Sequence, residues 1–405
     1  MKKAKFILLA VVLVFAFFFS NDFGLIDVEK TSIITAIAID KDQQGYLVTA
    51  QIAVPEATDQ NAENRKAEIS GSGSTVGEAL KNIGDVSGWF PKLAFCNLII
   101  IGDGLKDTNV VKVLDYFAKT LRVQDSALVA LAEKQAKELL TLSTPLDNIS
   151  SFALQKILLK NPGFDRDVSS TDVKSFCSGH YSPSRSAYMP LIKVNSSDGS
   201  ANGGGEQSSG NSSTTTGGTS GSGNSQGVTE NNKNLFDART TALFLDGVKV
   251  GELDADLTVM FNAFKESLND TTLPINDVPY KNGKANYLLT VLKGTPKLDI
   301  NATNNELKVS LSLDLYCKVS DVNAVGTEET LSENQPLPTA LKEKAKSVME
   351  ERLFDLINTS VQTGCDFLKI KEKLYRHHYK QYSRYKDNYL SVMKINVNAN
   401  VHGQK

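Results

Sequence analysis

Four histidines are the first candidates for metal binding or acid–base catalysis. His377 and His378 are adjacent, so on a helix they project about 100° apart and cannot share a metal ion as an i, i+4 pair does. His402 has no acidic or thiol residue close to it in the sequence, and His180 has only Cys177. The histidines therefore predict neither a metal site nor a catalytic centre.

Four cysteines, Cys96, Cys177, Cys317 and Cys365, could bind a metal or form disulfides. They lie far apart, with no C-x-x-C pair and no metal-finger spacing. In an exported chain they could pair, but the sequence does not indicate which with which. Cys317 falls within a strand pattern, which favours a small buried side chain.

The stretch GSGSTVG, which begins at Gly71, suggests a nucleotide-binding loop. The dinucleotide fingerprint requires its third glycine at position 76, which is a valine. A glycine turn that leads into a capped helix accounts for the stretch without a ligand. No G-x-S-x-G nucleophile elbow follows a strand either. We therefore predict no cofactor and no catalytic residue from these motifs; a catalytic site assembled from residues distant in the sequence is left open.

The segment KIKEKLYRHHYKQYSRYKDNYL, residues 369–390, carries the most distinctive pattern. On one continuous helix its five tyrosines would share a face, opposite five basic residues. One interpretation is a surface helix whose tyrosines pack on a sheet. The other is an amphipathic element that docks on anionic lipid or a partner protein. The candidate docking residues are Lys373, Arg376, Lys380 and Arg384.

The first region, residues 27–194, alternates strand and helix patterns. Two apolar alternating runs flank DKDQQG and predict a hairpin. Thr75, with Glu78 three residues later, forms a capping box for the next helix. Buried strands at LAFCNLIII and SALVALA alternate with further helices, and residues 178–194 are predicted to be mostly loop running into a strand. A further division near residue 140 is left open.

The second region, residues 235–405, predicts a sheet with packed helices. Asp246-Gly247 is a strong hairpin signal, and residues 297–319 contain two strands joined near Asn304-Asn305. A helix is expected from about 338 to 363, and a final strand at 395–401. The fold class predicted is α+β, with successive mixed α/β domains.

Residues 195–234 consist almost entirely of Ser, Gly, Thr and Asn. Such a composition cannot bury enough apolar surface to offset its ordering entropy. We predict a disordered linker or large loop that separates the two regions.

The N-terminus combines Lys2, Lys3 and Lys5 with an apolar run from Phe6 to Phe19. This pattern predicts export, with residues 1–26 as a signal or membrane segment. Three phenylalanines occupy the place of a small-residue cleavage site, so retention as an anchor is favoured over cleavage. The lysines should stay inside and the rest should face out.

Several stretches, in this order, resemble the Ger(x)C family, the C-type subunits of spore-germination nutrient receptors. They are AIAIDKDQQGYLVTAQIAVPE, GSGSTVGEALKNI, LAFCNLIIIGDGL, TALFLDGVKVGELDADLT and CDFLKIKEKLYRHHYK, together with the last strand. The resemblance covers nearly the whole chain outside 195–234. It implies successive α+β domains and a non-enzymatic protein attached to the outer face of the inner spore membrane. It also implies integral-membrane A and B subunits as partners.

One feature departs from the family pattern. Its members usually carry a lipid-modified cysteine just after the apolar run, whereas this chain has SNDFG there and its first cysteine is Cys96. This argues against a diacylglycerol anchor and for attachment by an uncleaved helix.

The sequence leaves two other classes open. An exported small-molecule binding protein would hold a nutrient between the two regions. A surface hydrolase ranks last, because no nucleophile or metal cluster is visible. The net charge of −2 gives no electrostatic case for nucleic acid as a partner.

Overall fold

The computed structural model describes most of the chain outside the N-terminus and the Ser/Gly-rich segment. The described residues are 31–43, 45–53, 66–120, 123–142, 144, 147, 149–159, 167–196, 234–266, 268–281, 283–324 and 336–403. The predicted membrane segment at 1–26 and residues 197–233 of the predicted linker lie outside them. Within these ranges, no helix has the length and apolar character that crossing a membrane requires.

The described residues form thirteen strands and ten helices. The strands are β1 Thr31–Asp42, β2 Gly45–Ala53, β3 Lys66–Gly73, β4 Phe90–Lys92, β5 Leu98–Ile101, β6 Leu128–Ala132, β7 Ser186–Ser196, β8 Asn234–Leu245, β9 Val248–Leu253, β10 Thr271–Tyr280, β11 Gly283–Ala302, β12 Leu307–Ala324 and β13 Lys394–Gly403. The helices are α1 Val76–Ser87, α2 Val110–Thr120, α3 Ala136–Thr141, α4 Ser150–Leu158, α5 Val173–His180, α6 Ala255–Glu266, α7 Thr339–Thr363, α8 Ile370–His377, α9 Tyr379–Tyr385 and α10 Tyr389–Val392.

The first sheet is mixed and has the strand order β3-β2-β1-β5-β6-β7-β8-β9, with β4 paired to the start of β1. Its central strands β1, β5, β6 and β7 run parallel, and antiparallel strands extend it on both sides. Helices α1, α2 and α5 cover one face, and α3 and α4 cover the other. Because both faces are covered, β5 and β6 are buried along their whole length, as their continuous apolar runs predict.

The second sheet has the order β10-β11-β12-β13. Alternate leucines and valines of β12 enter a core that it shares with α6, α7 and α8. The predicted antiparallel pair joined near Asn304-Asn305 is confirmed by the register of β11 and β12. The last strand pairs with β12 in parallel, because α7 and the three short helices after it return the chain to the start of β12.

The two sequence regions do not correspond to two separate sheets. β8 and β9 follow the predicted linker, yet β8 pairs with β7 from Ser186↔Leu245 to Ser196↔Asn234. Leu243 of β8 and Leu253 of β9 also contribute to the core of the second sheet. The predicted boundaries divide the sequence but not the first sheet, and the strands on both sides of residue 140 likewise belong to that sheet. Of the predicted linker, residues 195, 196 and 234 are strand residues.

Most local predictions are confirmed, and two are wrong. The hairpin of β1 and β2 forms, with Asp42 opposite Gly45, and so does the hairpin at Asp246-Gly247; the Thr75 side chain accepts the Glu78 N–H at 3.1 Å. The start of the predicted loop at 178–194 instead completes α5, which Asp172 caps. The single helix predicted across 369–390 is broken into α8, α9 and α10.

Candidate functional site

The break in the tyrosine-rich segment occurs at His378, whose backbone leaves the helical region with φ −133° and ψ 47°. Its Nε2 lies 2.8 Å from the carbonyl oxygen of Ile300 in β11. The tyrosines consequently do not share one face. Tyr385 and Tyr389 are buried, whereas Tyr375 and Tyr379 are exposed. The predicted segregation of tyrosine and basic faces is therefore wrong.

The four candidate docking residues are separated by the same break. Arg376, Lys380 and Arg384 are exposed. Lys373 is partly buried, and its Nζ lies 3.5 Å from the carbonyl oxygen of Leu298. Burial lowers the pKa of Lys373, and the nearby Asp299 carboxylate opposes this effect. The structure thus places Lys373 in a different environment from the other three.

Lys373 lines a cleft of about 550 Å³ between the two sheets. One wall comes from α5 and β7, and the other from α6, β11 and the turn that precedes α8. This volume lies within the range of small-molecule sites. The lining residues are spread along the chain from Thr171 to Lys373, so no local pattern could indicate the cleft.

Four lysines and four aromatic residues give the cleft its chemistry. The lysines are Lys174, Lys265, Lys369 and Lys373, and the aromatic residues are Tyr188, Phe261, Phe264 and Phe367. No aspartate or glutamate is among the described residues that line it. The cleft therefore combines positive charge with an apolar wall.

The aromatic wall is a chain of edge-to-face contacts. The rings of Tyr188 and Phe261 lie 4.8 Å apart, and those of Phe261 and Phe367 lie 5.3 Å apart. The Lys265 ammonium lies 5.1 Å from the centre of the Tyr188 ring and donates to the Ser170 carbonyl oxygen at 2.8 Å. Such contacts hold both the rings and this ammonium in place.

Two other ammonium groups are available for a ligand. The ammonium groups of Lys174 and Lys369 have no hydrogen-bond or ion-pair partner in the part of the chain that the structure describes. Lys369 adopts a left-handed backbone conformation, with φ 58°, directly before α8. An anionic group with an apolar body would match this arrangement of charge and rings.

A buried polar network adjoins the cleft. The Asp366 carboxylate accepts the N–H groups of Ile370 and Lys371 at 2.8 Å each, and the Tyr389 hydroxyl donates to it at 3.0 Å. The Asp366 N–H donates to the Ser186 hydroxyl of β7 at 2.9 Å. Because this network joins β7 to the start of α8, it fixes the C-terminal helices to the first sheet.

Burial dominates the electrostatics of this network. Burial raises the pKa of Asp366 to about 7, although the backbone N–H groups of Lys371 and Ile370 oppose it. Glu372 is also buried, and its Oε1 accepts a hydrogen bond from the Ser184 hydroxyl at 2.8 Å. Its negative charge adds to the rise in the Asp366 pKa.

The cysteines, all of which are described, are free thiols. Cys96, Cys317 and Cys365 are buried, which confirms the interpretation of Cys317 as a small buried side chain. Burial raises their pKa values to about 12, and that of Cys177 to about 11. At neutral pH these thiols are protonated and therefore poor nucleophiles.

The glycines of GSGSTVG bring β3 and α1 close together. A Cβ atom on Gly71 would lie 2.5 Å from the Ala79 carbonyl oxygen, and one on Gly73 would lie 2.6 Å from the Ala79 nitrogen. Close helix–strand packing thus accounts for both glycines. Within the described ranges, no group of three or more His, Cys, Asp or Glu residues could hold a metal ion.

Comparison with known proteins shows similarity in both halves of the chain. Residues 25–194 match the family model described as "Spore germination protein N-terminal domain". Residues 239–404 match the model described as "Spore germination B3/ GerAC like, C-terminal". A solved structure, "Crystal Structure of the GerBC protein", is 14% identical, with a TM-score of 0.44, covering 93% of this chain and 99% of that one. No match was found among curated proteins.

Proposed function

Since the chain belongs to the GerAC-like family of spore germination proteins, the C-type subunits of germinant receptors, we propose that it is a membrane-anchored, non-enzymatic subunit. It acts by contact with integral-membrane A and B subunits when a spore detects nutrients. The observation that carries the proposal is the match of both halves, in the order N-terminal domain and C-terminal domain.

We propose further that residues 1–26 hold the protein at the outer face of the inner spore membrane. The apolar run and its lysines support this, and the absence of a cysteine before Cys96 argues against a lipid anchor. The test is mass spectrometry of the membrane fraction. We expect a peptide in which residues 19–30 are joined to upstream residues. A mature N-terminus near Ser20, or a chain in the soluble fraction, would contradict the anchor.

The receptor role has a genetic and a biochemical test. Deletion of the gene should impair germination when spores are tested on single nutrients, because a receptor subunit is then missing. An affinity-tagged copy should restore germination and copurify with A and B subunits from spore membranes. Unchanged germination on every nutrient, or purification without either subunit, would contradict the proposal.

A second candidate function is the binding of a small organic anion in the cleft. The observation that favours it is the convergence of four lysines and an aromatic wall without a lining carboxylate. Benzoate, used as a probe, should raise the melting temperature of the full chain, and uncharged benzamide should not. The effect should disappear in a Lys174→Gln, Lys369→Gln variant. A benzoate effect that persists in this variant would contradict binding through Lys174 and Lys369.

A further inference from the structure

Four large apolar side chains are exposed around the start of β1. Ile33, Val86, Trp89 and Phe95 are 39%, 80%, 47% and 53% exposed, and we call them the apolar corner. Trp89 is the single tryptophan of the protein. Exposed apolar residues that stand alone are ordinary, but a cluster indicates an interaction surface.

Strand pairing and packing bring these four residues together. β4 pairs in parallel with the start of β1, with Thr31 opposite Phe90 and Ile33 opposite Lys92. Trp89 directly precedes β4, and Phe95 lies in the single 3-10 turn that follows it. The last turn of α1 packs on the same segment, because a Cβ on Gly84 would lie 3.3 Å from both the Trp89 carbonyl oxygen and Pro91. The corner is therefore built on the strand that continues from the N-terminal segment.

The length of the connection fixes how far this corner can be from the proposed anchor. The anchor ends at Ile26 and β1 begins at Thr31, which is five residues later. Five residues of extended chain span at most about 18 Å. If the anchor lies in a bilayer, the start of β1 must stay within this distance of the membrane surface.

The composition of the corner matches a membrane interface. Between Val86 and Asn97 the only charged residue is Lys92, which is exposed. The Trp89 indole N–H has no hydrogen-bond partner among the described residues. A tryptophan with a free N–H, beside apolar side chains and a lysine, is typical of the interfacial region of a bilayer.

We propose that the apolar corner inserts into the outer leaflet next to the N-terminal anchor and sets the orientation of the two sheets on the membrane. The inference rests on the proposed anchoring of residues 1–26. We commit to lipid as the occupant, because the short connection keeps the start of β1 within about 18 Å of the bilayer whichever protein partner is present.

The single tryptophan makes a direct experiment available. The full chain is reconstituted into phosphatidylcholine–phosphatidylglycerol vesicles, with or without bromine on the acyl chains, and Trp89 emission is recorded. We expect the emission to be blue-shifted and largely quenched by the brominated lipids. Iodide in the aqueous phase should quench it little.

Two variants test whether the corner itself causes the insertion. A Val86→Ser, Phe95→Ser variant keeps the tryptophan and should lose most of the quenching by brominated lipid. Phe354→Ser in α7 is the matched control, since Phe354 is 47% exposed, like Trp89, and lies outside the corner. The control should behave like the parent. Melting temperatures of all three proteins should agree.

The outcomes separate the corner from the anchor. If the chain floats with the vesicles but Trp89 remains accessible to iodide and is not quenched by bromine, the proposed insertion of the apolar corner is wrong. Anchoring by residues 1–26 would still be supported. A chain that does not float would overturn the anchor, and the corner proposal with it. Equal quenching in the parent and the Val86→Ser, Phe95→Ser variant would show that the corner side chains do not drive insertion, which also overturns the proposal.

Discussion

Two buried aspartates that lie outside a helix cap its first turn, Asp40 from 96 residues away and Asp366 from just before the helix. Asp40, at the end of β1, accepts the N–H groups of Ala136 and Lys137 at 2.7 and 2.9 Å, and Asp366 does the same for the start of α8. The local N-cap residues of α3 and α8 make no side-chain capping hydrogen bond. The orphan N–H groups of both helices are therefore satisfied by carboxylates outside the helix.

The position of the Asp40 carboxylate should require a glycine at residue 102. Its φ of −75° is accessible to any residue, so the constraint is steric. A Cβ there would lie 1.9 Å from Asp40 Oδ1, which its hydrogen bond to Ala136 holds in place. We expect Gly102→Ala to lower the free energy of unfolding by about 2 kcal/mol, as overpacked sites do.

Chemical denaturation measures this effect, and Gly283→Ala is the control. A Cβ on Gly283 would meet no atom within 4 Å, so this variant should be as stable as the parent. If Gly102→Ala and Gly283→Ala are equally stable, the Asp40 side chain can move away from the added methyl group, and its cap of α3 is not rigid.

Asp366 should make stability depend on pH. Burial raises its pKa from 3.8 to about 7 in the folded state. Between these values the folded protein holds a proton that the unfolded chain has released, so the free energy of unfolding decreases as pH rises from about 4 to 7. Asp366→Asn removes this titration and should flatten the decrease.

Unfolding by urea at several pH values between about 4 and 8 covers this titration window. Asp277→Asn, at the exposed Lys284 ion pair, controls for the loss of one carboxylate. It should keep the pH slope of the parent. A parent-like slope in Asp366→Asn would show that another group causes the dependence.

At the scale of elements, the segment 369–390 shows how tertiary contacts divide a helical pattern. The His378 ring contacts Ile300 of β11, and the Tyr385 hydroxyl donates to the Thr303 carbonyl oxygen at 2.7 Å. Both contacts hold the segment against the end of β11. A straight helix could not follow the sheet in this way, so three short helices form.

The different burial of the four basic residues predicts different effects of charge reversal. Lys373→Glu would place a carboxylate beside the Leu298 carbonyl oxygen and near Asp299, so we expect a loss of about 1–3 kcal/mol in the free energy of unfolding. Arg376→Glu, Lys380→Glu and Arg384→Glu should each cost less than about 0.5 kcal/mol, because these side chains are exposed.

The test compares the melting temperature of Lys373→Glu with that of the triple variant, which combines Arg376→Glu, Lys380→Glu and Arg384→Glu. If the triple variant keeps its stability but loses copurification with receptor subunits, the three exposed residues dock on a partner. If it melts like the parent and copurifies normally, they form a solvated face. A triple variant less stable than Lys373→Glu would contradict the conclusion that burial sets Lys373 apart from the three exposed residues.

At the scale of the whole molecule, the Ser/Gly-rich segment connects two neighbouring strands. Ser196 and Asn234 are register partners at the ends of β7 and β8, so the 37 residues between them begin and end at one place. Replacement of 197–233 by a four-residue turn should leave the fold intact. Because closing a shorter loop costs less entropy, the free energy of unfolding should rise by about 2 kcal/mol.

Limited proteolysis tests the same connection. Its composition predicts cleavage within 197–233, but the two fragments should stay together in size-exclusion chromatography, because the β7–β8 ladder and the shared core join them. Fragments that separate and remain folded would favour two independent domains. Unfolding of the shortened chain would contradict the hairpin arrangement.

The sequence by itself determined the local elements. The hairpin at Asp246-Gly247, the capping box at Thr75, the buried strands β5 and β6 and the long helix α7 were all predictable, because each depends on neighbours within a few residues. The order of these motifs also indicated the family, which the matches to both halves confirm.

Only the tertiary structure decided how these elements join. The pairing of β7 with β8 across the Ser/Gly segment, the Asp40 cap, the hydrogen bond from Asp366 to Ser186 and the cleft around Lys373 each unite residues that are far apart in the chain. Periodicity and local propensity report which face of an element is buried, but not which element buries it. That choice depends on how well surfaces, hydrogen bonds and charges match in three dimensions, and it becomes visible only when the chain is folded.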